Sequence, residues 1–211
     1  MIELIVFDCD GTLLQSLDVK DRAFEYTGSL ISPEAGQALL AWHRANGGVN
    51  REEKFAWLYK NFVGRQISEE ESRKLSDLFD EYCASSLRKV SPVPGAMSVL
   101  KKWHGRIPMC VASAAPQKGL EQLMKLKGLD VYLQRMYGYP PGKTELLRRA
   151  ISESGAASLA TVMVGDSMKD MEAAETLGAM FYGIGDTVKG CGAPWHSDLT
   201  QFNAWLAKQL D

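Results

Sequence analysis

The chain has 211 residues, of which 45% are apolar and 24% charged, and its 24 basic and 26 acidic side chains leave a net charge of -2. That balance excludes intrinsic disorder and a fibrous repeat. With no dense basic run, it also excludes a surface built to neutralise many nucleic-acid phosphates, so a small soluble molecule is the expected partner.

In chain order, Ile2 to Phe7 is a short apolar run that stops at a polar turn containing glycine, the form of a buried strand in a parallel sheet. The opening MIELIVFDCDG meets a carboxylate too early for a secretory signal. No uncharged apolar run approaches the roughly 18 residues of a membrane span, so the cytoplasm is expected. Residues 16–90 hold no strand-like run. Helices are expected there over Leu17 to Gly28, Pro33 to Asn46, Arg51 to Val63 and Ser68 to Ser86, the last opened by the capping box Ser68-Glu69-Glu70-Glu71. The proline-rich Ser91-Pro92-Val93-Pro94-Gly95 then returns the chain to the core.

Strand-like runs recur at Ile107 to Ala112, Thr161 to Val164 and Met180 to Ile184, with helical periodicity between them over Gln117 to Lys127 and Thr144 to Ser154. Strands alternating with helices predict an α/β fold, a doubly wound parallel sheet. Residues 1–15 and 91–211 would form this core and 16–90 an inserted α-helical domain. Cys9, Cys83, Cys110 and Cys191 are scattered without a CxxC pair, which argues against a zinc or disulfide framework. His43, His104 and His196 have no neighbour at ligand spacing and read as surface or packing residues.

The strongest chemical signal is Asp8-Cys9-Asp10-Gly11-Thr12, directly after the first strand. A D-x-D-G-T run arises by chance in about one chain in a thousand of this length. Two acids at the carboxyl end of a buried parallel strand lie where open α/β sheets bind ligands. One can attack phosphorus while the other protonates the leaving oxygen and later activates water. Attack on a phosphate dianion by a carboxylate needs a cation and fixed positive donors. Gly165-Asp166-Ser167 and Asp170 follow another strand and open a helix, and Asp8, Asp166 and the Asp10 carbonyl suffice for magnesium, with Asp170 in reach. Ser113 and Ala114 stand between a strand and a helix start, which suits an anion. Lys143 begins a further helix and could neutralise the transferring oxygens.

This series, Asp8-x-Asp10-Gly11-Thr12, Ser113, Lys143 and Gly165-Asp166-Ser167-x-x-Asp170, resembles the four motifs of the haloacid dehalogenase (HAD) superfamily. Within it, the pattern is similar to the branch of phosphoglycolate phosphatases and β-phosphoglucomutases with a helical C1 cap. The resemblance implies a Rossmann-like core, an aspartyl-phosphate intermediate on Asp8, Asp10 as general acid and base, and Mg2+ on Asp8, Asp10 and Asp166 with Asp170 in support. It implies that Cys9 (through its backbone amide), Ser113, Ala114 and Lys143 bind phosphate, and that residues 16–90 close over a small phosphorylated metabolite. The stretch Gly47 to Phe55 resembles a specificity loop, in which Arg51, with Lys54, would select an anionic substrate. Gln15-Ser16 replaces the usual Asp-Ser and Ala114 the usual Asn, so the substrate stays open. Hydrolysis is the expected reaction; a phosphosugar mutase and a non-catalytic binding protein of the same fold are the alternatives.

Overall fold

The computed structural model describes residues 1–210. In chain order it runs β1 (Leu4–Phe7), α1 (Leu17–Ser29), α2 (Pro33–Ala45), α3 (Arg51–Leu58), α4 (Glu69–Leu87), α5 (Ala96–Trp103), β2 (Met109–Pro116), α6 (Gln117–Lys127), β3 (Arg135–Tyr139), α7 (Lys143–Ser154), β4 (Thr161–Gly165), α8 (Met168–Leu177), β5 (Met180–Ile184), β6 (Trp195–His196) and α9 (Phe202–Ala207). The chain divides into two compact units, one made of Met1–Gln15 with the chain from Ser91 onward, the other of Ser16–Val90.

The first unit is built on a six-stranded sheet in the order β3-β2-β1-β4-β5-β6, every pairing parallel. This is the doubly wound fold expected from the alternating runs. Leu4 to Phe7 are wholly buried because β1 has neighbours on both edges, α7 packs against it and Phe7 meets Phe202 of α9 edge-on. Each such side chain contributes about 1.5–3 kcal/mol through its removal from water. The strand order reverses on either side of β1, so the carboxyl ends of β1 and β4 flank the crevice where such sheets take their ligands.

Where residues 16–90 leave and re-enter this unit, the two backbone segments hold each other. Gln15 donates its N–H to the Ser91 carbonyl at 2.9 Å, Val93 donates to Leu13 at 2.9 Å, and Leu14 bridges Pro92 in antiparallel fashion.

The second unit is helical, with a core of Val19, Phe24, Leu39, Phe55, Leu58, Leu75, Phe79 and Cys83. The expected capping box is present: Ser68 accepts from the Glu71 N–H at 3.2 Å and Glu71 from the Ser68 N–H at 3.0 Å. The single helix expected over Arg51 to Val63 is instead an α-helix to Leu58 followed by a π-helical turn over Tyr59–Val63. The side-chain periods of the two are too close for the sequence to separate them. No helix among the described residues is long and apolar enough to cross a membrane.

Candidate active site

Asp8 is the first residue beyond β1, and its N–H donates to the Val164 carbonyl at 2.8 Å, fastening it to the end of β4. Asp166 lies just past that end. Asp170 sits one turn into α8, where its Oδ2 accepts from the Ser167 hydroxyl at 2.6 Å and the Ser167 N–H at 3.1 Å. Asp170 is thus the partner of an N-terminal capping box as well as a member of the acid cluster. Its approach depends on Gly165: a Cβ there would stand 2.4 Å from both Cβ and Cγ of Asp170. Lys143, at the start of α7, extends into the same crevice. Its ammonium bonds Asp8 Oδ1, donates to the Ala112 carbonyl at 2.8 Å and stands 2.8 Å from Asp170 Oδ1. That last approach is a buried ion pair between Lys143 and Asp170.

Charge in this crevice is unbalanced. Burial pushes the Asp8 carboxyl up to about 7; Lys143 opposes the shift, while the charges of Asp170 and Asp10 add to it. Burial, with the charges of Asp8 and Asp170, raises Asp166 well above the carboxylate range. Burial works against the Lys143 charge, but Asp170 and Asp8 outweigh it and hold its pKa above the lysine norm. One ammonium therefore faces Asp8, Asp166 and Asp170 together. One oxygen from each of these acids lies within 4.8 Å of the others. Ligands on opposite sides of a magnesium ion stand about 4 Å apart, so small carboxylate rotations would suit the cluster to such an ion. The excess of buried negative charge is itself a reason for one to bind.

A model of the haloacid dehalogenase-like hydrolase family matches residues 2–178. The chain belongs to this family. Among curated relatives of this hydrolase, the phosphoglycolate phosphatase of Vibrio parahaemolyticus is 26% identical over 87% of this chain and 83% of its own. That of Vibrio cholerae is 24% identical over 87% and 84%. Among solved structures, β-phosphoglucomutase from Clostridium difficile superposes with a TM-score of 0.83 at 15% identity, covering 99% of this chain and 96% of its own. A predicted phosphoglycolate phosphatase from Haemophilus somnus gives 0.78 at 19%, covering 97% and 98%. These two likenesses show the fold. The hydrolase is an enzyme of the phosphatase type.

Of the other residues singled out in the sequence, Asp10 is half-buried in the turn after Asp8, near enough for its charge to act on Asp8 and Asp166. Gly11 follows it with φ of 85° and donates its N–H to Leu14 at 2.8 Å. The Cys9 side chain is buried, and its carbonyl accepts from the N–H groups of Leu13 and Leu14, each at 3.0 Å. Ser113 is buried near the end of β2, where its hydroxyl accepts from the Ala115 N–H at 3.1 Å; Ala114 is half-buried between them. Two further groups take part. The Ala112 carbonyl, which holds Lys143, leaves no trace in residue type. Ser167 belongs to the sequence motif, and its S-x-x-D spacing to Asp170 is the signal that it orients that acid.

Arg51 and Lys54 lie in the helical unit, and both side chains are committed within it. Arg51 donates from Nη1 to the Ser76 carbonyl at 3.0 Å and from Nη2 to Asp80 Oδ1 at 2.8 Å, with its guanidinium 4.6 Å from the Phe79 ring centre. It thereby ties α3 to α4. The Lys54 ammonium is 2.7 Å from His43 Nδ1, which makes Nδ1 the acceptor and leaves the proton on Nε2, 3.3 Å from Asp21 Oδ1. His43 is thus no surface residue. Burial, with the charges of Lys54, Lys20 and Arg44, pushes its pKa down to about 3. A histidine neutral in the fold is protonated in the unfolded chain below about pH 6.5. Its contribution is complete above that pH and lost progressively as pH falls toward 3. Relative to His43→Gln, the wild-type protein is expected to lose about 2 kcal/mol between pH 7 and 5, read from urea midpoints at the two pH values.

Proposed function

We propose that this hydrolase cleaves a small phosphate monoester through an aspartyl phosphate on Asp8. The observation that carries the reading is Asp8 itself, buried at the carboxyl end of the central strand, one oxygen held by Lys143, in a crevice with more acid than base. An Asp8 oxygen attacks phosphorus, and Asp10 gives its proton to the departing alcohol oxygen. Asp10 then takes a proton from water as that water attacks the acyl phosphate, and inorganic phosphate and free Asp8 result. Lys143 and the Ser113 hydroxyl hold the transferring oxygens, together with backbone amides of the Cys9 and Ala114 stretches. Asp8, Asp166 and the Asp10 carbonyl, with Asp170 nearby, would hold a magnesium ion, whose positive charge would let a carboxylate approach a phosphate dianion.

Residues 16–90 serve as the cap that excludes water from the reaction. As placed, Arg51 and Lys54 select an anionic substrate only by exchanging the partners they hold within that unit. The four free thiols suit a reducing compartment, the cytoplasm. Because the curated relatives are named phosphoglycolate phosphatases, 2-phosphoglycolate is the first substrate to offer. The test is release of inorganic phosphate from it and from p-nitrophenyl phosphate with and without magnesium. Return of the phosphoryl group to a sugar phosphate, with a bisphosphate accumulating and no free phosphate, would mark a mutase instead. Independently of turnover, millimolar magnesium is expected to raise the melting temperature of the wild-type protein by several degrees. Asp166→Asn should largely abolish that rise; an undiminished rise would remove Asp166 from the metal set.

A further inference from the structure

Strand β2 does not run straight into α6. Its pairing with β3 shifts between Ser113, opposite Gly138, and Pro116, opposite Tyr139, so that Ala114 and Ala115 are extra residues on the β2 side. A bulge of this kind re-aims the residues it contains. Here it carries the Ser113 hydroxyl and the main chain of Ala114. Two alanine methyl groups cannot anchor such an excursion, so the question is what else holds its shape.

Gln117, the first residue of α6, turns its side chain back onto β3 instead of outward to water. Its Nε2 donates to the Met136 carbonyl at 2.9 Å and its Oε1 accepts from the Gly138 N–H. Nε2 also reaches Glu121 Oε1 at 2.7 Å, an ordinary bond along the helix. One amide thus grips the backbone on both sides of Tyr137. The same junction shows a second, independent sign of close fit. A Cβ on Gly138 would stand 2.5 Å from Gln117 Cα, 2.7 Å from Gln117 N and 2.9 Å from the Ala115 carbonyl oxygen. The start of α6 and the bulge both rest on the bare backbone of β3, and only glycine leaves them room. From Gly138 the chain runs through Tyr139 and the next three residues to Lys143, whose ammonium returns to the Ala112 carbonyl on β2.

We infer that Gln117 is a positioning residue for phosphate binding: its amide fastens the bulged Ser113–Pro116 segment to β3, fixing at once the Ser113 hydroxyl and the stretch that delivers Lys143. The inference rests on the reading of Ser113 and Lys143 as holders of the phosphoryl oxygens. A displacement of about 1 Å in such groups is enough to cost up to a hundredfold in rate.

Gln117→Met keeps the length and removes both bonds to β3, and Gln117→Asn keeps the amide but falls one methylene short. Glu121→Gln leaves both bonds in place and serves as the control. Each full-length variant is titrated with inorganic phosphate in the presence of magnesium, and assayed for kcat and KM with p-nitrophenyl phosphate, well below its melting temperature. Both Gln117 variants are expected to bind phosphate about tenfold more weakly and to lose about ten- to a hundredfold in kcat/KM. Their magnesium affinity without phosphate should stay that of the wild type, and Glu121→Gln should match the wild type throughout. If one Gln117 variant fails to fold, the other decides. Phosphate affinity and KM within about twofold of the wild type, even beside a lowered melting temperature, would show a merely structural bond and overturn the inference. A wild-type protein that neither binds phosphate nor turns over any ester would instead overturn the phosphatase reading, and this inference with it.

Discussion

Asp8→Asn is expected to abolish turnover, lowering kcat with any phosphate ester by roughly four orders of magnitude or more, because an amide oxygen cannot form the covalent intermediate. The fold should survive. Asparagine has the shape of aspartate, Lys143 keeps its bonds to the Ala112 carbonyl and its pairing with Asp170, and burial already disfavours the Asp8 charge. In metal-free buffer the variant should therefore melt no lower than the wild type, while gaining less from added magnesium. Turnover, thermal melting and far-ultraviolet circular dichroism on one preparation separate the outcomes. A folded variant that retains near-normal turnover would exclude Asp8 as nucleophile, and one that does not fold would show that the carboxylate holds the crevice together.

The sequence made the centre of this crevice readable because its parts are local. Asp8 and Asp10 directly follow a wholly buried strand, and Gly165 to Asp170 span one strand end and one helical turn. Tertiary pairings left no such trace. Arg51 stands beside Glu52 and Glu53, yet its partners are Ser76 and Asp80 on another helix. His43 looked solitary because Lys54 and Asp21 lie 11 residues and 22 residues away, on two other helices. Strand β3 was passed over since Arg135–Tyr139 opens on an exposed arginine and contains a glycine, the composition of a sheet edge and not of a buried run. The eight residues of α5 and the six of α9 are too short for apolar periodicity to stand out. Nothing in the sequence sets Gln117 apart within its helical stretch, because what it grips is backbone, which residue type does not report.

Replacing Lys143 separates stability from catalysis within the same cluster. In the fold its ammonium bonds Asp8 and stands 2.8 Å from Asp170, both buried. Lys143→Met fills similar volume but leaves those carboxylates facing one another and Asp166 without a cation between them. Breaking a buried pair from one side costs about 3–5 kcal/mol, so the metal-free variant should unfold at clearly lower urea than the wild type at pH 8. The sign of the pH dependence follows from Asp8, whose carboxyl is raised to about 7 even with the lysine present. Without the lysine it rises further, so the folded variant takes up a proton as pH falls through neutrality, at values where the unfolded chain has not yet done so. The deficit is therefore full above the variant's folded-state pKa, shrinks as pH falls from there to about 7, and stays constant below, where the wild-type Asp8 takes up its proton as well. Turnover should fall by about a thousandfold or more at every pH because the transferring oxygens have lost their ammonium, and further below the folded-state pKa, where a protonated Asp8 is no nucleophile. Lys143→Arg restores charge but forces a planar guanidinium into an enclosed site shaped for a point donor, so it should recover part of the stability and little of the rate. Equal urea midpoints for the wild type and Lys143→Met at pH 8 would mean that the acids are held apart by something other than this ammonium.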